Sequence, residues 1–197
     1  MTAKEMKIKT FSLIEEYFPE LNKLAEDEDV LYKINSVINA IQMDLMQLRK
    51  INGYKELYVN KTDDRDINLK NLIPNLYQIK NITLEDSLGY NMSDEVTLTI
   101  PDNYEGKIKI YYYQLPKLMV LTFDSEEESI NYDKTFTFDL DDLLLEIMPY
   151  GIASDLLKMD MISNYGKYFQ EEYMMRKNQI DPRYTGGQVI FEGGVDV

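Results

Sequence analysis

Asp139, Asp141, Asp142 and Glu146 put four carboxylates within eight positions, a set that could hold a hard cation or trade a proton. The same residues open an apolar helical run. There, carboxylates cap free N–H groups and complement the positive helix end, which is the plainer reading. Asn60-Lys61-Thr62-Asp63-Asp64-Arg65-Asp66 is oxygen-rich like a calcium loop, but it lacks the alternating acidic spacing, the glycine and the closing glutamate. Glu126-Glu127-Glu128 reads as a solvated loop. The chain has no histidine and no cysteine. Serine–histidine and cysteine–histidine catalysis, disulfides and zinc–sulfur sites are thereby excluded. Only carboxylate, lysine or tyrosine chemistry and oxygen-ligated Mg²⁺ or Ca²⁺ remain. An enzyme is the least favoured class, and no cofactor is expected.

The chain carries 35 acidic and 21 basic residues over 197 positions, a net charge of −14. Its lysines are dispersed along the sequence, so a phosphate backbone meets repulsion and sequence-specific DNA binding is disfavoured. The acidity serves either solubility or a surface past which nucleic acid slides without sticking. A hydrophobic fraction of 44% is enough for a real core. No apolar run approaches membrane-spanning length, and the polar start Met1-Thr2-Ala3-Lys4-Glu5 is no secretory signal. The expectation is a soluble intracellular product or a component of a particle assembled in a cell.

Thr2 and Glu5 form a capping-box pattern ahead of a helix to residue 18, stopped by Pro19. Leu31, Ile34, Ile38, Ile41, Leu45 and Leu48 recur at three and four, predicting a helix over 29–51. Residues 52–70 read as polar loop. Strands are expected at 76–84, around Val96–Ile100, at 107–113, around Leu118 and Val120, and at 132–139. Two further helices follow, over 139–160 and 161–178. Pro149 either starts a new helix or kinks a continuous one. The fold class is therefore α+β. Helices at both ends (1–53 and 139–178) form a bundle, a small antiparallel β-domain (54–138) is inserted, and an arm (179–197) extends from the C-terminus.

Two features suit recognition. On the strand Lys107–Tyr113, Tyr112 follows the register of Ile108 and Ile110. Tyr111 and Tyr113 then face the other way, as a cross-strand packing pair, a platform for sugars or a protein interface. In the tail, Val189, Ile190 and Phe191 lie between Gly186-Gly187 and Gly193-Gly194. No helix follows these glycines, so they are not phosphate loops. The patch adds a strand either to its own sheet or to a neighbour's.

The order of elements resembles the head–tail connector (adaptor) proteins of tailed bacteriophages. The likeness rests on the opening helix pair and Tyr112-Tyr113-Gln114-Leu115-Pro116. It rests also on Thr135-Phe136-Thr137-Phe138-Asp139 and on Met148-Pro149-Tyr150-Gly151-Ile152-Ala153-Ser154-Asp155-Leu156-Leu157-Lys158-Met159-Asp160. A tyrosine- and glutamate-rich last helix and a glycine-flanked arm complete it. Residues 52–106 are longer than in smaller members. The resemblance implies a ring, commonly of twelve copies, under the portal vertex in the virion neck. Its partners would be the portal protein, neighbouring copies and tail or neck proteins, with DNA passing through unbound and no membrane involved. It implies that the arm meets the portal, through Ile180, Tyr184, Val189, Ile190 and Phe191. A carbohydrate- or receptor-binding module using Tyr111 and Tyr113 is the alternative.

Overall fold

The computed structural model describes residues 1–85, 89–158 and 163–180 of the chain. It is a mixed α+β structure with two small antiparallel sheets. Helix α1 (Ala3–Tyr17) starts at the Thr2–Glu5 capping box. Helix α2 (Glu28–Met46) starts at Asp27, whose carboxylate accepts from the N–H groups of Asp29 and Val30. The chain then runs through β1 (Ile51–Val59), β2 (Asp66–Asn68), the single turn α3 (Leu69–Leu72), β3 (Leu76–Leu84), β4 (Asn91–Met92), β5 (Thr97–Thr99) and β6 (Gly106–Gln114). Helices α4 (Glu126–Thr135), α5 (Asp142–Lys158) and α6 (Ser163–Asn178) close the described part.

The larger sheet has the order β1-β6-β3 and the smaller β2-β5-β4. Together they enclose one apolar cluster, with Leu69, Leu98, Tyr104, Ile108 and Ile110 fully buried. Gly53 lies opposite Tyr112 in the β1–β6 register. A Cβ at Gly53 would stand 2.3 Å from the Tyr112 ring, so only glycine leaves room for that ring on the inner face. A second cluster joins α1, α2 and α5 around Met6, Ile34, Ile38, Leu45, Leu144, Met148 and Ile152. A third ties α1 to α5 and α6 through Ile14, Ala153, Leu157 and Phe169. Pro149 sits within one helix, α5, rather than starting a new one.

Several expectations are corrected. The helix expected to 51 ends at Met46, and of the loop expected over 52–70, residues 52–59 belong to a strand that begins at Ile51 and 66–70 to β2 and α3. Gly53, Leu57 and Val59 face Tyr112, Ile108 and Gly106 across the ladder, and the charged Lys55 between them hides the alternation. Residues 126–135 are helix, so Glu126, Glu127 and Glu128 form its first turn; Ser125 Oγ accepts from the Glu128 N–H at 3.2 Å. Of the strand expected at 132–139, only a single bridge remains, between Thr137 and Thr2. Leu118 and Val120 belong to no strand.

Asp44 on α2 fastens α6. It accepts from Tyr173 Oη at 2.5 Å and from Lys177 Nζ at 2.6 Å. Partial burial works against its charge. The hydrogen bonds from Lys177 and Tyr173 outweigh that and hold the carboxyl below its ordinary range. Burial first, then the Asp44 hydrogen bond, pushes the Tyr173 phenol well up. A lowered folded pKa gives stability that is present above the unfolded pKa and lost as pH falls through the folded one. Asp44 is half exposed, so the contribution is about 1 kcal/mol or less. Asp44→Asn is therefore expected to destabilise the chain at pH 7 and to converge on the wild type in acid. Unfolding curves at several pH values check this; a constant difference down to pH 2 would contradict it.

Candidate docking surfaces

Several of the carboxylates that invited a catalytic reading have structural work. Asp141 Oδ1 accepts from the Leu143 N–H and from Arg49, each at 2.9 Å. Asp139 pairs with Lys117 at 3.1 Å. Asp63 closes its turn by accepting from the Asn60 N–H at 2.7 Å. Asp94 accepts from the N–H groups of Val96 and Thr97, and those bonds lower its pKa. Among the described residues, no group of three or more acidic side chains is placed to hold a metal ion. No described helix is long and apolar enough to cross a membrane.

The outer face of the larger sheet is built from alternate residues of its strands. Tyr112 turns inward with Ile108 and Ile110, while Tyr111 and Tyr113 turn outward. Tyr54 lies opposite Tyr111, with ring centroids 5.2 Å apart and planes tilted by 47°. Lys50 and Lys80 stand over the Tyr113 ring at 4.8 and 5.0 Å. Lys50 donates to Gln78 Oε1 at 2.8 Å and Lys80 to Asn52 Oδ1 at 3.1 Å. Glu56 pairs with Lys107 at 3.1 Å and accepts from Tyr54 Oη at 2.9 Å. These bonds, from Lys107 first, lower the Glu56 pKa, and Glu56 in turn raises that of Lys107. Tyr113 is thus capped by two ammonium groups, and Tyr54, Tyr58 and Tyr111 are exposed aromatics of the face. The lysines that looked dispersed along the sequence form two pairs on this face, Lys50 and Lys80 at the Tyr113 end and Lys107 and Lys109 further along β6, about four to six residues away at roughly 3.3 Å each.

A second surface went unread in the sequence. Between β6 and α4 the backbone lies against α2 as an extended strap. Asn39 clamps Met119 on both sides: Nδ2 donates to the Met119 carbonyl at 2.9 Å, and Oδ1 accepts from its N–H at 2.7 Å. Asn35 Nδ2 donates to the Val120 carbonyl at 2.8 Å, and the Val120 N–H donates to Tyr132 Oη at 3.1 Å. Met119 is buried in the helical cluster. Leu118, Val120 and Leu121 instead point outward and are each about half exposed (54%, 47% and 53%). Leu31 and Tyr32, one turn before Asn35 on α2, are also exposed. The signal for this strap was the row of amide side chains Asn35, Asn39 and Gln42, spaced four and three along the largely apolar helix α2.

Of the residues expected in the arm, Ile180 packs against its own helical cluster, at a groove lined by Arg49, Leu143, Glu146, Ile147 and Arg176. Tyr184, Val189, Ile190 and Phe191 lie outside the described residues, as do Ile162 and the turn at Asp86-Ser87. In comparison with known proteins, no family model and no curated protein matches the chain.

Proposed function

We propose that the chain is a structural connector that acts by assembly, as the head–tail connector resemblance implies. The observation that carries this reading is the strap. Three large apolar side chains are presented outward on backbone that four hydrogen bonds hold in place. Apolar groups grouped this way are characteristic of interaction sites. Because the strap is already ordered, docking on it costs little conformational entropy. In this reading α1, α2, α5 and α6 form the helical bundle and the β-region is an insertion on it. Copies join as a ring, commonly of twelve, beneath a portal in the virion neck, with tail or neck proteins on the far side. DNA passes through the channel without specific binding. The role is non-catalytic.

The C-terminal segment is the proposed portal contact, with Val189, Ile190 and Phe191 as its anchors and Tyr184 beside them. Ile180 serves its own subunit, so the informative truncation ends at Ile180. That chain should keep the unfolding transition of the full chain and lose co-sedimentation with portal rings. A truncated chain that still joins the portal would overturn the arm assignment.

A further inference from the structure

The outer face of the β1-β6-β3 sheet carries Lys50 and Lys80 beside Tyr113 and, further along β6, Lys107 and Lys109 at Glu56, with Glu85 just past the end of β3 occupied by the Lys107 N–H at 3.2 Å. This lysine grouping stands in a chain with 35 acidic and 21 basic residues, so the rest of the molecule is correspondingly more acidic than the totals. We infer that this face is one half of a contact between copies, and that it docks on the acidic start of α4, at Glu126, Glu127 and Glu128, of a second copy. The inference rests on the assembly reading above and names a contact within it.

Charge decides the occupant. Two copies of a chain of net charge −14 repel unless the surfaces that meet are complementary, because like charges brought together cost several kcal/mol. A contact that repeats around a ring joins two different patches of the same chain. The lysine face and the first turn of α4 meet that requirement. The turn presents three exposed glutamates in sequence. It also belongs to the helical half, where α4 packs on α1 and Asp133 pairs with Lys7 at 2.6 Å. The face is prepared for a protein: Tyr54 and Tyr111 are aromatic anchors of the kind enriched at interfaces. Lys50 and Lys80 are already held in place by Gln78, Asn52 and the Tyr113 ring. A nucleic-acid strand fits less well, because the Glu56 carboxylate stands between the tyrosine pair and Lys107 in the path of its phosphates.

The test is carbodiimide cross-linking of a mixture of isotope-labelled and unlabelled full-length chains. Links between chains should join Lys80, Lys107 or Lys109 to Glu126, Glu127 or Glu128. K80E/K109E and E126K/E127K should each lose those links by at least about tenfold, and mixing the two variants should restore association through the exchanged charges. The substituted side chains lie on the surface, so matching circular dichroism spectra confirm that folding is intact. The inference is overturned if no link between chains forms, if the links lie elsewhere, or if K80E/K109E associates like the wild type. It is equally overturned if the face instead retains a fluorescent oligonucleotide that K80E/K109E releases. Association that survives K80E/K109E but fails when the strap is made polar would remove this contact and leave the assembly reading standing.

Discussion

Phe169→Ala is expected to cost about 3–5 kcal/mol of folding stability, the range for deleting a fully buried aromatic ring. Phe169 has no exposed surface and sits among Tyr17, Phe18 and Tyr168, with ring centroids 5.9, 5.7 and 5.4 Å away. The surrounding rings come from α1, the turn after it and α6, so a cavity here loosens the seam that seats the last helix. Edge-to-face contacts between these rings add to the transfer term. Urea unfolding followed by circular dichroism measures the loss, since the chain has no tryptophan to report it. A cost below about 1 kcal/mol would mean that α6 is not seated on α1 as described.

The second large effect concerns assembly rather than folding. Leu118→Ser, Val120→Ser and Leu121→Ser together should cost folding no more than about 2 kcal/mol and leave the chain folded, because each side chain is only about half covered in the single chain. Association should weaken by about 3 kcal/mol, on the order of a hundredfold, if those side chains become buried between copies. Sedimentation velocity of the chain, alone and with portal rings, reads the difference. Asn39→Ala provides the complementary case. It keeps the apolar side chains but removes both hydrogen bonds that clamp Met119, leaving the strap held by Asn35, Tyr132 and the burial of Met119, so docking must order more of it. Unchanged association in the triple variant would remove the main support for a connector.

Legibility in the sequence followed how local the determining forces are. α2 was readable because its apolar period agrees with its acidic start at Asp27, Glu28 and Asp29, where Asp27 is the cap. The alternation of Tyr111, Tyr112 and Tyr113 was readable because a strand's two faces are set by parity alone. β1 was missed because Lys55 occupies an inward register position, and only its partners in β6 make the segment a strand. α4 was missed although Ser125 and Glu128 repeat the signature that identified α1 at Thr2 and Glu5; the glutamate run drew a loop reading instead. The lysine face depends on pairing between strands far apart in the chain, which no local pattern carries. The strap is irregular backbone held by side chains of a distant helix, so periodicity has nothing to detect there.

In the proposed assembly the two surfaces have different physical roles. The strap offers apolar area, which supplies affinity without direction. The sheet face offers fixed charge, which sets partner and register more than strength.

Imaging the neck of a particle that contains this chain, at a resolution that shows side chains, tests the central claim most directly. The account predicts a closed ring in which Leu118, Val120 and Leu121 are covered by a neighbouring polypeptide. A map in which the strap faces solvent in every copy, or in which the chain is absent from the neck, would contradict it.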